Sequence, residues 1–311
     1  MMKHYSVLLT ECIEGLHIQE NGVYVDGTLG RGGHSKAILE NLTTGHLYAF
    51  DRDMDAIEES KQYLEQMSEK VTFVHTNFSN MKEKLQSFGV EAIDGLLLDL
   101  GVSSPQFDEA HRGFSYRFDA YLDMRMDQSQ ALTAYEIINT YSYHDLVRIM
   151  YQYGDESYAK QIARKIEQRR EIKPICTTFE LVDIIKSALP AKVLNRKGHP
   201  AKKVFQAIRI AVNNELEELQ KVLEDALSIL KVGGRICVIS FQSLEDKIVK
   251  EIFHKMSRNE KVDKRIPLLP NEIGTPPYKM ITKKPLVAME KELMENRRSH
   301  SAKLRIIERV R

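Results

Sequence analysis

Short apolar runs alternate with amphipathic stretches along the first third of the chain. The runs at 23–25, 46–50, 71–75 and 93–98 are rich in β-branched, leucine and aromatic residues, as buried strands are. The stretches between them repeat apolar positions at helical spacing, most clearly at 54–70. Strands that alternate with helices at this interval predict an α/β fold with a doubly wound parallel sheet.

The alternation stops after the fourth strand. Residues 100–117 have the composition of a loop, and residues 133–194 carry helical periodicity with no convincing strand. A long helix is predicted over 201–230, and strands are predicted at 234–240 and 302–310, the last of them half-exposed. An all-helical block that interrupts an α/β pattern indicates an inserted domain.

These patterns give a division of the chain into three segments. We predict a first part of the α/β domain at 1–118, an inserted all-helical domain at 119–205 and a second part of the α/β domain at 206–311. A stretch with four prolines, 263–277, is predicted to be irregular.

Polar or unusual residues follow the first four strands. Asp26 and a glycine-rich loop follow the first strand, Asp51 the second, Phe78 the third and Asp99 the fourth. In an open α/β sheet ligands bind beyond the carboxyl ends of the strands, so these residues are expected to converge. The loop indicates a nucleotide cofactor but leaves its identity open, because Ser35 stands where the dinucleotide fingerprint needs a glycine.

Each of these residues also has a structural alternative. Asp51 is suited to accept hydrogen bonds from both ribose hydroxyls, or to cap the following helix. Phe78 is suited to pack on adenine, or to belong to the core. The segment 99–106 is the predicted reaction-centre loop, in which Asp99 binds a reacting amine, or else it is a loop capped by Asp and Ser side chains.

Charge is balanced overall but clustered locally. The net charge is +1, yet residues 160–203 hold twelve Lys and Arg against four acids, and residues 297–311 hold six against Glu308. Residues 112–119 interleave basic and aromatic side chains, which suits stacking on an unpaired base but equally suits a well-packed loop. Together these clusters favour one basic face for nucleic acid over separate solvated helix faces.

Three scattered cysteines and ten scattered histidines show no metal-ligand spacing, so no metal site is expected. The chain has no apolar run of the roughly 20 residues that a membrane span needs, and no signal peptide is expected. Unpaired cysteines favour a reducing, cytoplasmic location.

Methylation of cytosine at carbon 5 needs a cysteine nucleophile, which classically follows a proline. None of the three cysteines here follows a proline. If the substrate is cytosine, methylation at its exocyclic amine is therefore more natural than at carbon 5.

Ordered blocks along the whole chain resemble one family, the bacterial 16S rRNA cytosine N(4)-methyltransferases. The blocks include Asp-Gly-Thr-Leu-Gly-Arg-Gly-Gly-His-Ser at 26–35, Asp-Leu-Gly-Val-Ser-Ser-Pro-Gln at 99–106, Ser-Phe-Gln-Ser-Leu-Glu-Asp at 240–246, and the segments 4–11, 51–53, 112–127, 199–213 and 298–305. The resemblance implies S-adenosylmethionine as cofactor and a class I (Rossmann-like) methyltransferase sheet. It also implies that the helical insert at 119–205 recognises the substrate, 16S rRNA of the small ribosomal subunit. The family usually has histidine where Gln242 stands and arginine where Lys247 stands.

The resemblance also implies roles for individual residues. The cofactor contacts it implies are Gly32, Gly33, His34, Asp51, Phe78, Asp99 and Gln106. The candidates for orienting the reacting amine are Asp99, Ser103 and Ser104. The candidates for binding RNA are Arg112, Tyr116, Arg117, His199, Lys202, Lys203 and Arg209.

Two other functions are compatible with parts of the pattern. An NAD-dependent dehydrogenase accounts for the glycine loop and for the acid after the second strand, although Ser35 and the helical insert count against it. A non-catalytic RNA-binding protein that keeps the fold as a scaffold accounts for the basic clusters. Binding of S-adenosylhomocysteine without binding of NAD would distinguish a methyltransferase from the dehydrogenase. Incorporation of methyl groups into RNA would distinguish a methyltransferase from the non-catalytic RNA-binding protein.

Overall fold

The computed structural model describes residues 6–258, 275–296 and 298–311. Most of the predicted irregular stretch at 263–277 lies outside these residues. The chain divides into two compact units, Met1–Gly101 with Leu216–Arg311, and Val102–Glu215. No helix in the described ranges is long and apolar enough to cross a membrane.

The first unit is built on one sheet of seven strands. The strands are β1 (Val23–Asp26), β2 (His46–Asp51), β3 (Val71–His75), β4 (Ile93–Asp99), β5 (Leu230–Ser240), β6 (Tyr278–Met280) and β7 (Lys303–Arg309). Their spatial order is β3-β2-β1-β4-β5-β7-β6; the first five are parallel, and β7 runs antiparallel to both of its neighbours. This topology confirms the predicted class I, Rossmann-like sheet.

Fourteen α-helices lie in the described ranges. They are α1 (Leu9–Leu16), α2 (Gly33–Glu40), α3 (Met54–Met67), α4 (Met81–Ser87), α5 (Ser104–Asp108), α6 (Ala134–Thr140), α7 (Tyr143–Gly154), α8 (Ala159–Arg170), α9 (Thr178–Ala188), α10 (Ala191–Leu194), α11 (Lys202–Asn213), α12 (Glu215–Ile229), α13 (Ser243–Met256) and α14 (Glu290–Glu295). Short 3₁₀ turns occupy Phe78–Asn80, Ala110–Arg112 and Ser299–Ser301.

Both faces of the sheet are buried, because successive residues of a strand point to opposite faces. On β4, Leu96 and Leu98 pack with α4, α12 and α13, whereas Leu97 packs with α1, α2 and α3. Continuous apolar runs such as 96–98 are therefore required, as in other sheets that helices cover on both sides.

The second unit is helical around a single core. Helix α11 packs on α6 and α7, and α8 lies against α6, α7 and α9. Phe114 lies in this core, and so do five residues of α11. For that reason the boundaries fall at 101/102 and 215/216, rather than at the predicted 118/119 and 205/206.

Three other predictions about the secondary structure are wrong. The long helix over 201–230 is broken at Asn214, whose left-handed conformation (φ 50°) ends α11. The predicted loop at 100–117 contains α5. The final strand, β7, is largely buried between β5 and β6; its charged residues pair, as Arg305 does with Asp246 at 2.7 Å, so the strand needs no exposed face.

Candidate functional site

Three acids lie at the carboxyl ends of adjacent parallel strands. Asp26 ends β1, Asp51 ends β2 and Asp99 ends β4, and β1 is the strand between the other two. The glycine-rich loop leaves the end of β1 and leads into α2. This edge of the sheet is where a doubly wound fold binds its ligand.

Two glycines give the loop its path. Gly30 and Gly32 have φ values of 49° and 67°, in the left-handed region that side chains rarely tolerate. A Cβ atom on Gly32 would also lie 2.5 Å from the hydroxyl of Tyr63 and 2.9 Å from Leu64 Cδ1. Helix α3 therefore packs directly against the loop backbone.

Helix α3 also holds the loop by hydrogen bonds that the sequence did not suggest. Ser60 Oγ donates to the Gly30 carbonyl at 2.7 Å, and the Tyr63 hydroxyl donates to the Arg31 carbonyl. Ser60 is completely buried. A serine inside an amphipathic helix carries no sequence signal for this role, because it only becomes visible once the helix is docked on the loop.

We expect Ser60→Ala to weaken binding of S-adenosylhomocysteine by about fivefold to 150-fold, since a buried carbonyl that loses its donor costs roughly 1–3 kcal/mol. Isothermal titration calorimetry measures the change. Ser87→Ala is the matched control, because the Ser87 hydroxyl also donates to a carbonyl, that of Lys84 at 2.7 Å, but on the exposed end of α4. Equal affinity in wild type and Ser60→Ala would show that α3 does not shape the loop.

Asp26 organises the start of the loop from inside the protein. It is 1% exposed and accepts hydrogen bonds from Ser35 Oγ at 2.7 Å and from the Thr28 N–H at 3.0 Å. Burial raises the pKa of Asp26, and these two donors partly offset the rise. The bond to Asp26 gives the physical reason for a serine, rather than a third glycine, at position 35.

Asp51 accepts the Gly30 N–H at 2.8 Å and the Asp53 N–H at 2.9 Å. The capping residue of α3 is Asp53, whose side chain accepts the Asp55 N–H, so the alternative of Asp51 as the helix cap is wrong. Burial raises the pKa of Asp51 to about 6, against the opposing effect of the two backbone donors. Each carboxylate oxygen keeps a second lone pair for a further donor.

Asp99 carries an unsatisfied acceptor. Within the described ranges its Oδ1 atom is buried and has no hydrogen-bond partner, and its Oδ2 atom lies 3.9 Å from His34 Nδ1. Burial raises the pKa of Asp99 to about 6; His34 opposes this rise and the charge of Asp26 adds to it. A buried carboxylate oxygen without a partner fits a ligand that brings a donor or a positive charge.

Phe78 lies beside the start of the glycine-rich loop. Its ring is half-buried against the core cluster of the first unit, and its Cβ atom lies 3.4 Å from where a Cβ on Gly27 would stand. Core packing and contact with a ligand at the loop are therefore compatible for this residue.

The boundary between the units falls inside the predicted reaction-centre loop. Asp99 belongs to the first unit, and Ser103, Ser104 and Gln106 belong to the second. Gln106 is 5% exposed, and its Oε1 accepts the Ser103 N–H at 3.1 Å, which ties the start of α5 together.

Two predicted RNA contacts are contradicted by their surroundings. Arg112 is 3% exposed and donates to the carbonyls of Arg125 at 3.1 Å and Met126 at 3.2 Å, as the packed-loop alternative requires. Arg209 makes two bonds of 2.8 Å to the carboxylate of Glu215. Both guanidinium groups stabilise the helical unit from within and are not available to phosphate.

The other candidates for RNA binding remain at the surface. Arg117, Lys202 and Lys203 are exposed. The Tyr116 ring stacks on His199 with centroids 4.1 Å apart. Burial lowers the pKa of His199, and the charges of Lys186 and Arg117 lower it further.

The two positions that depart from the family pattern lie on α13 and its entry. Gln242 Nε2 donates to the buried Glu245 at 2.8 Å, while Gln242 Oε1 is buried without a partner among the described residues. Lys247 is exposed and pairs with Glu251 at 4.0 Å, one helical turn away. A hydrogen-bonding side chain is thus preserved at position 242.

Among the described residues no group of His, Cys, Asp and Glu is arranged to hold a metal ion.

The class I topology, with a glycine loop after β1 and acids at the ends of β2 and β4, defines a nucleotide-cofactor enzyme of the methyltransferase type. The family model of the MraW methylase family matches residues 1–310. "Ribosomal RNA small subunit methyltransferase H" of Limosilactobacillus fermentum is 55% identical over 99% of this chain and 98% of its own length. The protein of the same name from Exiguobacterium sibiricum is 51% identical over 100% of this chain and 99% of its own. The chain belongs to the MraW methylase family, which confirms the resemblance read from the sequence.

Proposed function

We propose that the protein transfers a methyl group from S-adenosylmethionine to the exocyclic amine, N(4), of a cytidine in 16S rRNA. The proposal rests on one observation, the identity of 51% and 55% along nearly the full length of two ribosomal RNA small subunit methyltransferases. The substrate is the RNA of the small ribosomal subunit, in the cytoplasm.

The residues at the sheet edge fit the cofactor. When bound, S-adenosylmethionine supplies an electrophilic methyl group on a sulfonium. We assign its binding to Gly32, Gly33, His34, Asp51, Phe78, Asp99 and Gln106. Asp51 offers free lone pairs to ribose hydroxyls, and His34 contributes its main chain in the first turn of α2, because its ring is bonded elsewhere.

The amine of cytosine is a poor nucleophile, because its lone pair is delocalised into the ring. The protein must hold the nitrogen close and aligned, and must take the proton that it loses. Asp99 Oδ1, a buried acceptor, is the group that we assign to orient the amine. For Ser103 and Ser104 we keep the assisting role that the sequence resemblance implies.

The helical unit is assigned to RNA. Arg117, Lys202 and Lys203 supply exposed positive charge for phosphates, and the stacked pair of Tyr116 and His199 supplies a flat aromatic surface. The target base must be unpaired or splayed out of the helix to reach the amine-binding group.

The decisive experiment supplies labelled cofactor and three substrates that lack the modification, namely free 16S rRNA, 30S particles and nearly finished small subunits. Nucleosides from each are analysed by mass spectrometry. N(4)-methylcytidine at a single position supports the proposal, and the best substrate identifies the assembly stage. RNA binding without methyl incorporation would favour the scaffold alternative, and binding of NAD without S-adenosylhomocysteine would favour the dehydrogenase.

Binding of S-adenosylhomocysteine should tighten about tenfold between pH 5 and pH 7. The ribose hydroxyls bind the ionised form of Asp51, whose pKa is about 6, so binding is favoured as pH rises through that value. Calorimetry across this range measures the effect. In Asp51→Asn the affinity should be lower at neutral pH and its pH dependence should fall, while Asp99, whose pKa is also about 6, still titrates. A pH dependence that is unchanged in this variant would assign the titration to another group.

A further inference from the structure

His34 is buried between two elements of the first unit, and both nitrogens of its ring have a neighbour. Nε2 lies 3.0 Å from the carbonyl oxygen of Val7, and Nδ1 lies 3.9 Å from Asp99 Oδ2. The side chain is 6% exposed. The ring is therefore held from one side by the chain that precedes α1 and faces the reaction-centre acid on the other.

The Val7 carbonyl fixes the tautomer of the ring. A carbonyl oxygen only accepts hydrogen bonds, so Nε2 must carry its hydrogen whenever this bond is formed. In the neutral ring Nδ1 then carries a lone pair, 3.9 Å from Asp99 Oδ2. The one basic nitrogen of His34 thus faces the carboxylate that we assign to the reacting amine.

We propose that His34 Nδ1 receives, through Asp99, the proton that the target amine loses on methylation. This inference rests on the proposed function. Asp99 takes the proton at Oδ1, and a rotation about its Cβ–Cγ bond, a torsion with broad preferences, brings the proton to Nδ1. The distance of 3.9 Å must shorten in the substrate complex, as catalytic hydrogen bonds commonly do.

The step is balanced in atoms and charge. The nitrogen lone pair forms the new bond to the methyl carbon, the electron pair of the broken carbon–sulfur bond stays on sulfur, and the nitrogen releases one proton. The positive charge lost from sulfur reappears on the imidazole ring, beside the ionised carboxylate of Asp99. The site therefore keeps its net charge through the reaction, which is favourable in a buried environment.

The charged surroundings of the pair contain both signs. Asp26 from β1 and Glu245 from α13 act on Asp99 as negative charges, and Arg298 acts on it as a positive charge. Burial raises the pKa of the Cys12 thiol on α1 well above the ordinary value, and the charge of Asp99 adds to the rise, so this thiol stays neutral. Asp26 and Glu245 favour a proton on Asp99, and Arg298 partly offsets them.

The test uses His34→Gln, because the glutamine amide can keep the donor to Val7 but has no basic nitrogen for Asp99. We expect single-turnover methyl transfer to fall by about a hundredfold, with the dissociation constant for S-adenosylhomocysteine within about threefold of wild type. In an Asp99→Asn background, His34→Gln should cause no further loss, since residues that act in series are not additive. The control is His46→Gln, which should be fully active. His46 begins β2, at the amino ends of the parallel strands and away from the site, and its ring contacts Thr72 Oγ1.

A second readout does not depend on activity. In protein with ¹⁵N-labelled histidine, the His34 signals should show hydrogen on Nε2 and a lone pair on Nδ1, and should change in Asp99→Asn. Hydrogen on Nδ1 instead, or a His34→Gln variant as fast as wild type, would overturn the inference. If the wild-type protein forms no N(4)-methylcytidine, the proposed function itself is wrong. If wild type and His34→Gln are equally active, the proposed function stands and only the transfer of the proton to His34 is wrong.

Discussion

Replacing Asp99 with asparagine should lower the rate of methyl transfer by about a hundredfold to ten-thousandfold, the range that loss of a positioned proton acceptor produces. Asparagine keeps the size of the side chain and loses the negative charge. Because Asp99 Oδ1 is the buried acceptor without a partner among the described residues, we expect the loss in the rate at saturating cofactor. Single-turnover methylation of the preferred RNA substrate measures it.

The matched control is Asp94→Asn, at the other end of the same strand. Asp94 Oδ2 accepts the Val23 N–H at 2.7 Å and pairs with Lys231 at 2.7 Å, which is a structural role. Its variant should stay within about threefold of wild-type activity and lose about 1 kcal/mol of stability. An Asp99→Asn protein that binds S-adenosylhomocysteine and still methylates at the wild-type rate would remove Asp99 from the chemistry.

The sheet was predictable because its strands are buried on both faces. The run at 93–99 is apolar apart from its glycine and two acids and is bounded by loops, so its limits in the sequence and in the structure agree. The acids at strand ends were predictable for the same reason, since the end of a parallel strand fixes where its side chain lies. This part of the site follows from local pattern and sheet geometry alone.

Other features depend on contacts between distant segments and left no local signal. The edge strand β6 has only three residues and is defined by pairing with β7. Arg112 looked like a basic surface residue and is buried, because carbonyls of the 125–126 segment accept its hydrogen bonds. The break at Asn214 could not be read from periodicity, since apolar spacing continues on both sides of it.

The largest effect on stability is expected for Asn213→Leu in the helical unit. Asn213 is 2% exposed; its Nδ2 donates to the carbonyls of Met124 at 2.8 Å and Arg209 at 2.9 Å, and its Oδ1 accepts the Met126 N–H at 2.8 Å. Met124 has a φ of 61°, so this segment is held in a conformation that a free chain rarely adopts. Leucine has the same branching and the same number of heavy atoms but leaves three buried backbone groups without this partner.

We expect Asn213→Leu to lower the free energy of unfolding by about 3–5 kcal/mol, because each buried backbone group that loses its partner costs roughly 1–3 kcal/mol. Asn214→Gly is the control at the next position: Asn214 is exposed and left-handed, a conformation that glycine adopts without strain, so this variant should match or slightly exceed wild-type stability. Urea denaturation followed by circular dichroism compares the two. Equal stability of both variants would mean that the 124–126 segment is held by its other contacts. A loss confined to Asn213→Leu would show that the Asn213 side chain joins α11 to this segment, which Arg112 also binds.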